Sequence, residues 1–337
     1  MTAAPEALVV GTRRGLYCPA GDFYIDPCRP VQTAVITHAH ADHLLRGHAR
    51  YILARPGAAI ARTRLQGTPD ILALEYGACI ALGRTTVSLH PAGHILGSAQ
   101  VRIELEERVW VVSGDYKRQP DPTCAAFQPL SCDVFVSEST FARPAYRWPA
   151  TAVELDEVLR WWRSNRERGV TSVLFCYALG KAQRLLAELV PLIEEPVYVH
   201  AAMRQLIQDY RDAGVLMVPT IDAFSEHKAP YRGALVLAPP GAARTSWMRR
   251  LGEHASGFCS GWMRSVSEQR RRGYDRGFVL SDHADWPALI ATCLQTGARK
   301  VLLTHGRAAD LVQHLATRGV QASTLVGHPE ASADAAS

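Results

Sequence analysis

The sequence predicts an α/β protein with a strand-rich first part and a later part in which strands and helices alternate. Three observations predict it. Short apolar runs punctuated by Gly and Pro fill the chain up to Arg147, an amphipathic helix begins at Thr151, and strand-like and helical segments take turns from there on.

Taken in order, FYIDPCRPVQTAVIT (23–37) reads as a strand, a Pro-containing turn and a second apolar strand ending in Thr37. Residues 51–53, 59–61, 79–82 and 86–90 read as further short strands. VRIEL (101–105) and VWVVSGDY (109–116) form a hairpin followed by a loop from Gly114, and DVFVSEST (133–140) is a buried strand with a polar end. Residues 151–168 carry apolar side chains at helical spacing, with Thr151 three residues before Glu154 as a capping box. SVLFCYA (172–178) leads into the helix KAQRLLAELVPLI, the strand PVYVHA, a helix around 202–212, and strands at 215–218 and 234–237. FVLS (278–281) and VLLT (301–304) are strands enclosing a helix at about 286–296, and the tail PEASADAAS is expected to be disordered.

The composition excludes several classes. Of 337 residues, 47% are hydrophobic and 20% charged, which rules out wholesale disorder, and the net charge is a modest +5. No apolar run approaches the roughly eighteen residues of a membrane span. The N-terminus has its short apolar stretch ahead of its arginines, the wrong order for a secretory signal, so a cytoplasmic location is expected. Eight cysteines without a CxxC pair exclude zinc ribbons and thioredoxin-type motifs and read as reduced thiols.

Six of the thirteen histidines carry the chemistry. THAHADHL (37–44) places His38, His40, Asp42 and His43 directly after an apolar strand, a set that converges on a divalent metal such as zinc, manganese or iron if the loop turns its side chains together. This HxHxDH pattern resembles the metallo-β-lactamase superfamily. The resemblance extends along the chain: Asp26 in YIDP matches the aspartate that supports the ligand loop, His94 in PAGHILGSA the third histidine, and Asp115 in SGDYKR the bridging aspartate. His90, four residues before His94, is the competing candidate. Glu138 in ESTF, His283 in SDHADW and His305 in LLTHG resemble the three motifs of the nucleic-acid-processing β-CASP branch, and the 145 residues from Glu138 to His283 leave room for its insertion. YALGKAQRL (177–185) also resembles a segment near the start of that insertion.

The resemblance implies an αββα metallo-β-lactamase sandwich in two parts, 1–146 and 277–328, with a β-CASP α/β domain inserted at 147–276 and a tail at 329–337. It implies two divalent ions, Zn2+ or Mn2+, one held by His38, His40 and His94, the other by Asp42, His43 and His305, and Asp115 bridging both. Glu138 and His283 complete the catalytic set with Asp42 and Asp115, His283 as general acid oriented by Glu138. The opening FYIDPCRPVQTAVITHAHADH and the short length look closest to bacterial ligase-associated DNA exonucleases. The expected activity is therefore a repair exonuclease on single-stranded DNA or duplex ends, associated with an ATP-dependent ligase and a helicase. Because His305 resembles the RNA-processing enzymes, where Artemis-like DNA nucleases carry valine, RNA processing of the RNase J or 3′-end-processing type is the alternative. A small-molecule hydrolase would have no need of Glu138, His283 or so long an insertion, and a non-catalytic subunit would have lost some of these ligands.

For nucleic-acid contacts the sequence offers Lys181 at a helix start and a stretch from Arg244 to Arg276 with eight arginines against three acids, including Arg264, Arg270, Arg271 and Arg272. Its net +5 equals the whole charge of the chain. Trp247, Phe258, Trp262 and Tyr274 lie among these arginines as candidate stacking partners for bases.

Overall fold

Three sheets organise a mixed α/β fold. The computed structural model describes residues 7–224 and 231–325, so the expected disordered tail lies outside the described residues. The first sheet runs in chain order through β1 (Val10–Thr12), β2 (Gly15–Cys18), β3 (Phe23–Ile25), β4 (Thr33–Val35), β5 (Arg50–Ala54) and β6 (Ile71–Leu74), with α1 (Ala58–Leu65) crossing between the parallel β5 and β6. An antiparallel meander follows, made of β7 (Cys79–Leu82), β8 (Thr85–Pro91), β9 (Ala99–Leu105) and β10 (Arg108–Val112), and β11 (Val134–Glu138) joins β10 in parallel.

The chain then builds the third sheet through α2 (Thr151–Glu167), β12 (Thr171–Phe175), α3 (Lys181–Glu188), β13 (Val197–Val199), α4 (Arg204–Asp212) and β14 (Thr220–Asp222). It continues with β15 (Leu235–Ala238), α5 (Ser246–Arg249), β16 (His254–Cys259), α6 (Val266–Arg272) and β17 (Arg276–Phe278). All its pairings are parallel, in the order β14-β13-β15-β12-β16-β17. The last elements, α7 (Trp286–Gln295), β18 (Lys300–Thr304), α8 (Ala309–Ala316) and β19 (Gln321–Thr324), return to the second sheet, where β18 pairs in parallel with β11.

The chain divides into two compact units. The first gathers the chain up to Pro120, Cys124–Pro144 and the chain from His283 on; the second gathers Asp121–Thr123 and Ala145–Asp282. In the first unit, alternation along each strand decides which face meets which core. Trp110 and Val112 of β10, Val134 and Val136 of β11 and Leu302 of β18 share a core with Phe23, Ile25, Val35 and Ile52 of the first sheet. The intervening Val111, Phe135, Val301 and Leu303 pack instead with Leu289 and Cys293 of α7 and Leu311 and Leu315 of α8. The second sheet is thus covered on both faces, which is why VFVSE and KVLLT read as nearly unbroken apolar runs. In the second unit, Leu174, Leu235 and Leu237 face α2, α3 and α4, while Val173, Phe175 and Val236 face the Met248 and Met263 side.

Several local expectations are corrected. Residues 59–61 belong to α1 rather than to a strand, because AAIARTRL after Pro56 holds neither a glycine nor the alternation a strand needs. The capping box at Thr151 does not form: Ala150 is the N-cap, and the Glu154 carboxylate accepts from the backbone N–H of Val279 instead. The helix from Lys181 ends at Glu188, short of Pro191, and the strand expected at 215–218 lies at Thr220–Asp222. After Phe278 the chain leaves the sheet, so only the first residue of FVLS is in a strand. No helix among the described residues is long and apolar enough to cross a membrane.

Candidate metal centre

The histidines and carboxylates singled out in the sequence stand at the ends of strands from both sheets of the first unit. Asp26 follows β3, His38 comes three residues after the end of β4, and His94 follows β8. Asp115 follows β10, Glu138 closes β11, and His305 follows β18. The register of β11 against β18 sets Glu138 opposite Thr304, one residue before His305. Carboxyl ends of parallel strands are where such folds present their chemistry, because the loops there leave the sheet together.

His38 Nε2 and His94 Nε2 each lie 3.1 Å from His40 Nδ1, and Asp115 Oδ2 is 3.5 Å from His38 Nε2 and 3.8 Å from His94 Nε2. His43 Nε2 approaches the same Asp115 oxygen at 3.5 Å and Asp42 Oδ2 at 3.6 Å, and the His305 ring centroid is 5.6 Å from that of His43. Asp42, His43 and His305 line one cavity of about 230 Å³ with Asp26 and Gly114. His90 is excluded from this set: it bonds Ser88 Oγ at 3.0 Å and Gln128 at 3.4 Å.

Asp26 works behind the cluster. Its Oδ2 accepts from His43 Nδ1 at 2.8 Å and from Thr37 Oγ1 at 2.5 Å, while Oδ1 accepts from the Thr37 N–H at 2.8 Å. Its backbone sits at φ +44° and that of His305 at φ +54°, left-handed conformations that cost non-glycine residues energy and concentrate at functional sites. Ser139 Oγ donates to the carbonyl oxygens of Thr304 and His305, which holds the His305 turn. Two glycines are required by close approach: a Cβ on Gly114 would meet the Thr37 side chain at 2.6 Å, and one on Gly306 the Ser139 carbonyl at 2.3 Å.

A second convergence joins Asp115, Glu138 and His283. His283 Nδ1 donates to Glu138, with Oε2 at 2.9 Å and Oε1 at 3.1 Å, and Glu138 Oε1 also accepts from the Tyr116 N–H at 2.7 Å. Glu138 is buried while the His283 side chain retains 21% exposure, so the imidazole alone of this pair reaches solvent. Burial alone would raise the Glu138 pKa, but the charge of His283 and the hydrogen bonds from His283, Thr140 and the Tyr116 backbone outweigh it and hold the group below its ordinary value.

The electrostatics suit a cation. Burial pushes Asp115 up to about 7, with Glu138 and Asp42 adding to the rise and His43 opposing it. Burial would lower His43, yet Asp115, Asp42 and Asp26 carry it to about 10. Burial and the neighbouring imidazoles of His43, His94 and His40 drive His38 far down, leaving it neutral, the ligating form. Asp42 Oδ1 is buried without a hydrogen-bond partner among the described residues. Three facing imidazole nitrogens with a carboxylate oxygen at 3.1–3.8 Å match a tetrahedral zinc-type site, whose bonds of about 2.0–2.1 Å place neighbouring ligand atoms roughly 3.3 Å apart. The donor set therefore fits a divalent metal.

The residues offered for nucleic acid behave differently. Lys181 is 2% exposed with its Nζ 2.7 Å from Asp282 Oδ1, so its charge is turned to that carboxylate and not to a phosphate in solvent. Arg264, Arg270 and Arg271 are exposed, Arg271 pairing with Glu268 at 2.8 Å. Arg272 is drawn inward over the Phe258 ring at 5.1 Å. The aromatics among them are occupied with one another: Phe258 is buried and stacked on Tyr274, Trp247 packs on Phe224, and Trp262 meets Tyr146 edge-on. Sequence reading missed Thr37, Ser139 and the Tyr116 N–H; each adjoins a motif residue, His38, Glu138 and Asp115 in turn, but only the fold reveals what they bond.

No family model matches the chain. Over 314 residues it is 32% identical to a probable DNA ligase of Opitutus terrae, an alignment taking in 91% of this chain and 30% of that protein. Over 217 residues it is 26% identical to a ribonuclease of Thermus thermophilus, covering 54% of this chain and 48% of that one. The chain thus spans about a third of the first relative's length and about half of the second's. A solved protein of unknown function from Enterococcus faecalis V583 superposes with a TM-score of 0.56 at 12% identity, over 80% of this chain and 74% of that one, a likeness of fold alone. With its HxHxDH loop, the later ligand-type residues at the strand ends and these relatives, the chain belongs to the metallo-β-lactamase superfamily, in its β-CASP branch.

Proposed function

We propose that this chain is a metal-dependent phosphodiesterase that acts on DNA as an exonuclease in repair. The convergence of His38, His40, His94 and Asp115 beside the Glu138–His283 pair carries the reading. In this proposal the two-part metallo-β-lactamase domain is 1–146 with 277–328, and 147–276 is the inserted β-CASP domain. His38, His40 and His94 would hold one divalent ion and Asp42, His43 and His305 a second, with Asp115 contributing its carboxylate; zinc or manganese would suit these donors.

When bound, the two ions supply Lewis acidity that makes water a nucleophile near neutral pH and neutralises charge on phosphate oxygens. Asp26 orients His43 through Nδ1, which leaves Nε2 for ligation. Glu138 fixes the His283 tautomer through Nδ1, so Nε2–H is presented as the proton donor to the departing alkoxide.

DNA is favoured because a relative matched over 91% of this chain is a protein named for DNA ligation, which also supports work alongside a ligase; association with a helicase is part of the proposal alone. The absence of a membrane-spanning helix among the described residues accords with work in the cytoplasm. RNA processing is the second reading, supported by His305 and by the ribonuclease relative. The deciding experiment incubates pure protein with manganese or zinc and end-labelled single-stranded DNA, duplex DNA or RNA. Nucleotide release from DNA ends is expected. Cleavage of RNA alone would replace the first reading with the second, and inertness toward all three would return the site to small-molecule hydrolysis.

A further inference from the structure

The cavity of about 230 Å³ that Asp42, His43 and His305 line lies wholly within the first unit. Leu16 of β2, Val112 of β10 and Val136 of β11, all buried, give it an aliphatic wall to which both sheets contribute. Cys28 lines it too and is exposed, so solvent reaches the cavity on that side. Sites for drug-sized ligands run to roughly 300–1,000 Å³. This one is smaller, with room for a single planar ring system and not for a whole nucleotide.

Arginine side chains stand next to the same loop. Arg46, three residues after His43, donates from Nε at 3.2 Å and from Nη2 at 2.8 Å to the carbonyl oxygen of Arg64, in the last turn of α1. That contact caps the helix and accounts for Arg46, but it does not account for the Arg64 side chain. Half-buried, the Arg64 guanidinium meets no carboxylate and no hydrogen-bond acceptor among the described residues. Burial holds it below the ordinary arginine value, with Asp42 opposing and the charge of Arg46 adding to the fall. A guanidinium so placed is stabilised by a further anion, and phosphate oxygens match its fork of donors.

A nucleic-acid strand unites the two demands, since each nucleotide carries one planar, weakly polar base and one phosphate. We propose that this corner of the first unit is a nucleotide subsite: the cavity takes the base beside the attacked phosphodiester, and Arg64, with Arg46, takes the adjoining phosphate. The subsite rests on the reading of the chain as a phosphodiesterase. Aliphatic side chains pack on the face of any base, so binding here is tolerant of sequence.

The first measurement needs neither a variant nor turnover. Metal-loaded protein is treated with iodoacetamide in the presence of dAMP, of deoxyribose 5-phosphate or of neither. Peptide mass spectrometry follows alkylation of Cys28 against that of Cys79, an exposed thiol outside the cavity lining. dAMP should slow Cys28 severalfold and leave Cys79 unchanged, while deoxyribose 5-phosphate should protect neither. The second measurement is kcat and KM on the nucleic acid that the protein cleaves. Arg64→Gln should keep its full complement of metal and its kcat while KM rises about tenfold, the loss of one charged hydrogen bond, and Arg64→Lys should recover most of that loss. Equal alkylation of Cys28 with and without dAMP, equal protection by the two phosphates, or a folded Arg64→Gln protein with unchanged KM overturns the proposal. If the Arg64 variants fail to fold, the alkylation result decides it. A protein that cleaves neither DNA nor RNA would defeat the functional reading, while protection by dAMP would still decide the subsite.

Discussion

At the scale of single residues, Asp115 and His283 stand in the same cluster but should fail differently. Asp115 Oδ2 is within 3.8 Å of three imidazoles that make up both halves of the proposed site, so Asp115→Ala should lose bound metal as well as turnover. His283 Nδ1 donates to Glu138 behind the metal set, so His283→Ala should keep metal and nucleic-acid binding while kcat falls by about 10²–10⁴, the range of general acid catalysis. Metal analysis, a binding titration and single-turnover kinetics separate the two; normal cleavage by the His283 variant would remove it from the mechanism. His48 allows a test by pH. It is buried, its Nδ1 accepts from the Val31 N–H at 3.3 Å, and burial keeps its pKa below the ordinary value against a weaker opposing pull from Asp26. The unfolded chain therefore binds this proton at a higher pH than the folded one, so the stability His48 contributes is complete above about pH 6.5 and declines as pH falls below it. His48→Gln, which can still accept from Val31, should flatten that decline in urea unfolding followed from pH 8 to pH 5; a parallel decline in both proteins would clear His48 of the role.

At the scale of elements, the turn after β18 and the helix α6 make opposite demands on their side chains. The turn has no room: Gly306 sits at φ +80° with the Ser139 carbonyl where a Cβ would go, so Gly306→Ala should cost roughly 1–3 kcal/mol and displace His305. Calorimetry and metal stoichiometry would register both effects, and a variant with full metal and unchanged stability would contradict them. Helix α6 is open to solvent, and its charges are unequal. Arg270 and Arg271 are exposed, whereas Arg272 covers Phe258 and pairs with Glu268 at 3.5 Å. Replacing Arg270 and Arg271 with glutamine should lower the slope of log affinity against log salt by up to about 0.7–0.9 for each phosphate left without its arginine, while Arg272→Gln should mainly reduce stability. An unchanged slope would make α6 an ordinary solvated face. The sequence could count these arginines but not sort them, because which side of a short helix is covered depends on the sheet beneath it.

At the scale of the whole molecule, the two units have separate cores and, among the described residues, the candidate metal centre lies in the first. A metal that binds the folded first unit stabilises that unit by mass action and leaves the second untouched directly. Chelation should therefore lower the unfolding temperature of one calorimetric transition more than the other, with limited proteolysis assigning the sensitive one to the first unit. Equal shifts in both would mean that the two unfold as one.

By itself the sequence determined the strand-rich and alternating halves, the ligand types and their order along the chain, and the family they resemble. These are legible because alternation and helical spacing are local, and because an HxHxDH run places three imidazoles and a carboxylate within six residues wherever the chain goes. The tertiary structure alone decided that His94 and not His90 joins the cluster, that Asp26 braces His43, and that Lys181 is turned inward to Asp282. It also decided that Phe258 and Tyr274 stack on each other, leaving no free face between them for a base. Each of those outcomes depends on which strand end lies beside which, and on which charge is buried with a partner. Such pairings join residues 17 to more than 100 positions apart, and sheet register and burial set them, neither of which a linear pattern carries.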